Sequence, residues 1–447
     1  MNIKNSDTIV AIATANGIGS ISIIRLSGQD ALVLAHKLLK TSSLTPRVAK
    51  LCKVYDTKQN IIDEALLLYF KNPHSFTGED IVEFQCHGGV AVSNIILDSL
   101  IEVGARLANP GEFSKRAFLN GKIDLTQAEA IAKLIEARSD DSVRLLAKQL
   151  NGELKIFVEN IREDLLFMLA YTEVNIDYAE EDLPSDIFEQ ITNKLNSITT
   201  LLENTLDSSN RRSGMIEGFK VAIIGKPNVG KSSLLNKLLD YDRAIVSNIA
   251  GTTRDTIEES VKIGTHLIKI VDTAGIREAD DEIEKIGIEK SLESIQSADI
   301  IVALFDNSRI LDDQDRYIID ILNQTNKEKI IVLNKTDLES KFDAKDFDSF
   351  ISLSAKDDIK PLIKQIEILL DNNTHGDDMT LISKRQISAV QDALNQIKQA
   401  RIPLQTGELE FFAYHINEAL VSISNITRPY EHTQMLDVMF GSFCLGK

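Results

Sequence analysis

The chain has 447 residues and a mass of 49.7 kDa, enough for about three domains at roughly 150 residues each. Its 43% hydrophobic and 26% charged residues exclude a disordered or fibrous chain, and a formal net charge of -18, from 49 Lys and Arg against 67 Asp and Glu, excludes broad nonspecific gripping of nucleic acid, leaving room only for a local basic patch. Cys52, Cys86 and Cys444 fit neither a disulfide framework nor a CxxC metal knuckle; with no signal-peptide features and no run of 18 apolar residues, they predict a cytoplasmic protein without a membrane segment.

Residues 21–25, 65–70 and 81–84 are β-rich runs separated by Gly, Pro and Asn clusters, and 31–39 and 92–101 have helical composition, so 1–120 reads as an α+β domain. From about Leu125 the texture is helical. Leu146, Leu150, Leu154, Phe157, Ile161 and Leu165 recur at steps of 4, 4, 3, 4 and 4, predicting one apolar helix face, and Ile187, Ile191, Leu195, Ile198 and Leu202 repeat the pattern. This texture stops near Ser213 and Gly214, gives way to an α/β unit, and resumes with Ile387, Val390, Leu394 and Ile397. The expected segments are 1–120, 121–214, 215–376 and 377–447, with the third inserted into a helical domain made from its two flanks. Three consecutive domains are the alternative.

Within the α/β unit, Gly225-Lys226-Pro227-Asn228-Val229-Gly230-Lys231-Ser232 fills GxxxxGK[ST] between an apolar strand, 219–224, and a helix opening at Ser233. The glycines let main-chain N–H groups converge on phosphate at a helix N-terminus, Lys231 reaches the β- and γ-phosphates, and the Ser232 hydroxyl suits Mg²⁺. Asp272-Thr273-Ala274-Gly275 follows strand 267–271 and places a carboxylate beside Mg²⁺ and an N–H near the γ-phosphate. Thr252 and Thr253, after Gly251, suit closure over Mg²⁺. Asn334-Lys335-Thr336-Asp337 follows strand 330–333; a carboxylate at Asp337 accepts guanine N1–H and the 2-amino group, which selects GTP over ATP. Ser354-Ala355-Lys356, after strand 350–353, completes the base pocket. Ile276 stands where Ras-like enzymes carry a water-orienting glutamine. Hydrolysis then uses K⁺ near Asn228 and a downstream acid, or the chain is a slow GTPase that binds and senses nucleotide.

The remaining motifs resemble the MnmE (TrmE) family of tRNA-modification GTPases over essentially the whole chain. They are Asp7-Thr8-Ile9-Val10-Ala11, Ser75-Phe76-Thr77-Gly78-Glu79-Asp80, Gln85-Cys86-His87-Gly88-Gly89, the segment Pro110 to Asn120, and terminal Phe443-Cys444-Leu445-Gly446-Lys447. The resemblance implies an N-terminal α+β folate-binding-like domain that forms a homodimer, a helical domain, and an inserted Ras-like P-loop GTPase domain. It further implies K⁺-activated GTP hydrolysis and a FAD-containing MnmG-type partner in a heterotetramer or larger complex. Together they would modify C5 of the wobble uridine of certain tRNAs, forming aminomethyl or carboxymethylaminomethyl uridine with a 5-formyltetrahydrofolate-type donor.

By matching positions, Ser247, Asn248, Ile249, Ala250 and Gly251 join the nucleotide site. Asn228, Thr252 and the carbonyls of Ser247 and Ile249 contact K⁺, Ser232 and Thr253 bind Mg²⁺, and Glu284 orients water. Read bare, Glu284 is a solvated charge beside the acidic run Asp280-Asp281-Glu282. Arg25, Glu83, Lys122 and Lys447 fall on the folate positions: a carboxylate suits pterin N–H groups and cations suit the anionic tail. Read bare, Arg25 and Lys122 are surface charges and Lys447 a frayed end. Cys444 is a nucleophile or a small buried hydrophobe, and His87 is read as turn packing. Ala15-Asn16-Gly17-Ile18-Gly19-Ser20 departs from the family's proline-rich turn. Two further classes share the GTPase domain: a GTP-gated ribosome assembly factor and a dimer scaffold with vestigial hydrolysis.

Overall fold

The computed structural model describes residues 7–15, 17–40, 43–177, 187–242, 259–271, 294–345, 347–374, 379–428, 436, 439–441, 443 and 446. The chain divides into two compact units, one comprising 1–132, 149–167 and 420–447, the other 133–148 and 168–419.

In the first unit, β1 (Ile9–Ile12), β2 (Ile21–Ser27), β3 (Lys50–Tyr55), β4 (Ile61–Phe70), β5 (Ile81–His87) and β6 (Arg106–Leu107) form a sheet in the order β3-β4-β5-β2-β1-β6. Every pair is antiparallel except β1 with β6. Alternation along β2 sends Ile24 and Leu26 into a core shared with α1 (Ala31–Lys37) and α2 (Val90–Glu102), through Leu34, Ile96 and Leu100. Arg25, between them, faces the opposite side, where its guanidinium lies over the Phe113 ring of α3 (Glu112–Leu119).

The helical stretch begins with α4 (Leu125–Glu136), α5 (Asp140–Leu150) and α6 (Glu153–Asp177). The predicted continuous face from Leu146 to Leu165 is divided between α5 and α6, because Gly152 takes φ +88 and breaks the helix after Leu150. On α6 the buried stripe is Leu154, Val158, Ile161, Leu165 and Met168, with Phe157 only half-buried.

The second unit contains α7 (Ile187–Glu217), whose buried face carries the expected Ile191, Leu195, Ile198 and Leu202. It runs four residues further than the texture change at Ser213 suggests, because the Phe219 ring packs on Gly214, where a Cβ would lie 2.2 Å from it. After Gly218 at φ +90 come β7 (Phe219–Ile224), α8 (Lys231–Asp242), β8 (Glu259–Ile263), β9 (His266–Val271), β10 (Ile300–Asp306), α9 (Asp313–Gln324), β11 (Glu328–Asn334), β12 (Ile351–Ser352) and α10 (Lys360–Thr374). The sheet order is β12-β11-β10-β7-β9-β8, parallel apart from the β8–β9 hairpin. Both faces are covered: Val221, Ile268, Val302 and Leu362 belong to one core, and Ala222, Ile301, Phe305 and Leu322 to the other. Continuous apolar strands such as β10, buried throughout, are what this arrangement requires.

Beyond the sheet, α11 (Lys384–Thr406) packs along α7, and α12 (Leu409–Ser424) follows. Ser208 Oγ donates to Met379 O at 2.7 Å, Leu381 N to Ser209 Oγ at 2.9 Å, and Arg212 Nη1 to Thr380 Oγ1 at 3.0 Å. The chain therefore leaves the helical layer at 217 and rejoins it beside the same helix at 379. Among the described residues no helix is long and apolar enough to cross a membrane.

Candidate functional site

The loop from Gly225 to Gly230 leaves β7 in the middle of the sheet and opens α8, so its main chain crosses the carboxyl edge where ligands bind in doubly wound folds. Gly225 (φ +152), Asn228 (φ +63) and Gly230 (φ +104) adopt conformations that L side chains resist. A Cβ on Gly225 would lie 2.5 Å from Leu304 O, and one on Gly230 2.2 Å from Asn334 Nδ2. Val229 is buried; Ser232 and Ser233 are exposed in the first turn of α8. Lys231 Nζ donates to the carbonyls of Gly225 and Lys226 at 2.7 and 2.8 Å, and burial pulls its pKa below the ordinary lysine value. Such an ammonium suits an anionic partner, which would favour its charged form.

Asn334 joins the two ends of the site. Its Nδ2 donates to Val229 O at 2.7 Å and its Oδ1 accepts from Ala355 N at 2.8 Å, which ties the phosphate loop to the base corner through one buried carboxamide. Lys335 (φ +67) donates to Asp306 Oδ2 at 2.7 Å. Burial would raise the Asp306 pKa, but the bonds from Lys335 and Ser308 outweigh it and hold the carboxyl below its usual range. Asp337 and Lys356 are exposed at this corner, and the buried Ser354 Oγ meets no hydrogen-bond partner among the described residues. Exposed Asp337 and an orphaned hydroxyl fit a base that brings its own donors and acceptors. The serine hydroxyl at the start of α8 is a hard oxygen donor of the kind Mg²⁺ takes. Of the remaining predicted nucleotide and ion residues, Ser247, Asn248, Ile249, Ala250, Gly251, Thr252, Thr253, Asp272, Thr273, Ala274, Gly275 and Glu284 lie outside the described residues.

A second site lies in the first unit. A cavity of about 580 Å³ is lined by Arg25, Phe70, Phe76, Ile81, Glu83, Ile123, Ile131 and Leu150. Arg25 and Glu83 are cross-strand partners on β2 and β5, with Arg25 Nε 2.9 Å from Glu83 Oε1 and side-chain exposures of 23% and 12%. The structure thus brings two of the predicted folate residues together. Lys122 does not line the cavity; its alkyl chain lies against Gly78, beside the lining residue Ile123. Lys447 and Cys444 lie outside the described residues. Sequence reasoning missed the aromatic and aliphatic walls, and only Phe76 carried a signal, through its place in the quoted 75–80 motif.

Loop 75–80 is itself held by a buried ionic network that no spacing announced. Arg116, 1% exposed at its side chain, donates to Asp7 Oδ1, to both Glu79 oxygens and to Glu112 Oε1, while Arg106 bonds Asp7 and Glu112. Ser27 Oγ donates to Glu79 Oε2 at 2.8 Å. His87 departs from the expected turn packing: its ring is 77% exposed and Nδ1 lies 2.8 Å from Asp63 Oδ1. Cys52 and Cys86 are free and buried, and burial pushes the Cys86 thiol up to about 11, so neither is a reactive thiolate.

A phosphate loop at the switch of a mostly parallel sheet, with an Asn-Lys-x-Asp corner on a neighbouring strand, defines a P-loop GTPase domain. A model of the MnmE helical domain matches residues 125–444, and a model of the GTP-binding protein TrmE N-terminus matches residues 8–122. The tRNA modification GTPase MnmE of Aliarcobacter butzleri (strain RM4018) is 68% identical over 443 residues, covering 99% of both chains. Its namesake from Sulfurimonas denitrificans is 58% identical over 445 residues, covering 99% of this chain and 100% of that one. The chain belongs to the MnmE family of tRNA modification GTPases.

Proposed function

We propose that this GTPase works as a homodimer with a FAD-containing MnmG-type partner, is activated by K⁺, and modifies C5 of the wobble uridine of certain tRNAs with a 5-formyltetrahydrofolate-type one-carbon donor. The observation that carries this reading beyond GTP hydrolysis is the aromatic-walled cavity around the Arg25–Glu83 pair, in a chain that separately carries the phosphate loop. The Glu83 carboxylate, held by Arg25, accepts from pterin N–H groups; Lys122 and Lys447 supply charge for the anionic tail. The bound donor supplies the one-carbon unit. In the nucleotide site, main-chain N–H groups and Lys231 bind phosphate, Ser232 and Thr253 hold Mg²⁺, and Asp337 reads guanine. Asn228, Thr252 and the carbonyls of Ser247 and Ile249 hold K⁺, and Glu284 orients the attacking water. Segments 1–120, 121–214, 215–376 and 377–447 divide this work between donor binding, helical framework and GTP.

The test is nucleoside analysis of tRNA from cells with and without the gene. Loss of the modified wobble uridine is expected; an unchanged nucleoside profile overturns the reading. A ribosome assembly factor would show no binding of 5-formyltetrahydrofolate, and a scaffold would hydrolyse GTP at equal, very low rates in K⁺ and Na⁺.

A further inference from the structure

We propose that Lys226 is a positioning residue of the GTP site, pinning the first half of the phosphate loop to the opening turn of α9. The GxxxxGK[ST] pattern leaves this position open to any residue. Here Nζ lies 2.6 Å from Asp312 Oδ2 and 2.6 Å from Asp315 Oδ2, with the Lys226 side chain 11% and the Asp315 side chain 5% exposed.

Both acceptors are fixed before the lysine reaches them. Asp312 caps α9, its side chain accepting from Gln314 N and Asp315 N, and Asp315 Oδ2 accepts in return from Asp312 N at 3.2 Å. Asp315 Oδ1 has no hydrogen-bond partner among the described residues, so this buried carboxylate depends heavily on Lys226. Burial would lower the Lys226 pKa, but the two carboxylates outweigh it and raise it, so the ammonium is charged at neutral pH.

The loop is thereby held at two points. Lys226 ties its first half to α9, and Asn334 ties its second half through Val229 O. Between the anchors lies the positive-φ residue Asn228 and directly after the second lies Gly230, and such conformations persist only where their surroundings impose them. The Lys226 carbonyl is also one of the two oxygens on which the Lys231 ammonium rests. Releasing Lys226 therefore loosens both the ring of N–H donors and the resting point of the phosphate-binding lysine. Because bound triphosphate rebuilds the loop, the effect falls on binding and not on the chemical step.

The experiment uses the full-length chain with Lys226→Met, Asp315→Asn and the double variant, reading affinity for a fluorescent GTP analogue, KM and kcat for GTP with K⁺, and Tm. Each single variant is expected to weaken binding about tenfold, mostly in KM, with kcat within about twofold. The double variant is expected to be no weaker than Lys226→Met, because both changes release the same clamp. Lys226→Arg, which keeps two donors for the two carboxylates, is expected to hold KM near wild type. A Lys226→Met protein with lower Tm and unchanged GTP affinity overturns the proposal in favour of a purely structural ion pair. Unchanged affinity in Asp315→Asn, or losses that multiply in the double variant, overturns it in favour of direct lysine–phosphate contact. If Asp315→Asn does not fold, Asp312→Asn serves in the same cycle, since asparagine still caps α9 while one ion pair is lost.

Discussion

The phosphate loop and the cavity beside Arg25 are built from different parts of the polypeptide. The loop offers mainly the main chain of one short segment, joined by the Lys231 ammonium, while other side chains matter chiefly by being small or by holding that segment in place, as Asn334 does through Val229 O. The cavity is lined by side chains brought from β2, β4, β5, α4, α5 and two loops, spread from residue 25 to residue 150. A main-chain site fails abruptly when a Cβ enters it. A side-chain site loses affinity by degrees, one contact at a time.

The largest effect expected from this contrast is that of Gly230→Ala. At φ +104, with the new Cβ 2.2 Å from Asn334 Nδ2, the loop and its tie to the base corner cannot both persist. GTP affinity measured by calorimetry should fall by about 100-fold or more, given one to three kcal/mol or so each for backbone strain and a lost buried hydrogen bond. A loss under about fivefold would break the contrast. Glu83→Gln should be milder: the cavity keeps its shape and the Arg25 guanidinium but loses the carboxylate charge, and affinity for 5-formyltetrahydrofolate should fall about tenfold, as expected for one charge-assisted contact. Titration of the donor checks this, and wild-type affinity would remove Glu83 from the site.

The smallest effect concerns pH. Burial of Glu112 raises its pKa, but bonds from Arg106, Asn109 N and Arg116 outweigh this and leave it below the ordinary value. Asp7, beside Arg106 and Arg116, shifts in the same direction after the same competition with burial. A carboxylate lowered on folding contributes stability that is fully present above its unfolded pKa, about 4, and is lost as pH falls through its lower folded value. The denaturant midpoint of unfolding monitored in the first unit should therefore be flat from about pH 8 to 5 on account of these groups and decline below about 4. A steady decline beginning near pH 6 would point to other groups.

Much of the phosphate site was legible because its requirements are local: glycines at fixed offsets, an apolar strand before them and a helix after. The insertion could be suspected from similar periodicity on both flanks, yet it is the packing of α11 along α7 and the bonds between Ser208, Ser209 and Arg212 and residues 379–381 that join the two flanks. The break at Gly152 was hidden because apolar spacing can run in phase across a turn. Arg116 and its partners at 7, 79 and 112 were not legible, since nothing local distinguishes a buried arginine from a surface one when its acids lie up to 109 residues away. Lys226 was concealed in the same way, with carboxylates 86 and 89 residues further along the chain. Arg25 and Glu83 came through family resemblance, and the antiparallel register of β2 and β5 supplies the physical reason for their pairing.

The adjacency of residues 208–212 and 379–381 makes the helical layer a socket with a standard opening. What is inserted there need only return alongside the helix from which it departs, and each doubling of a flexible connection's length adds only about 0.6 kcal/mol of closure entropy. The framework thus tolerates differences in the length of what it carries at small entropic cost, while close packing such as Phe219 against Gly214 ties this nucleotide module to the helix it departs from.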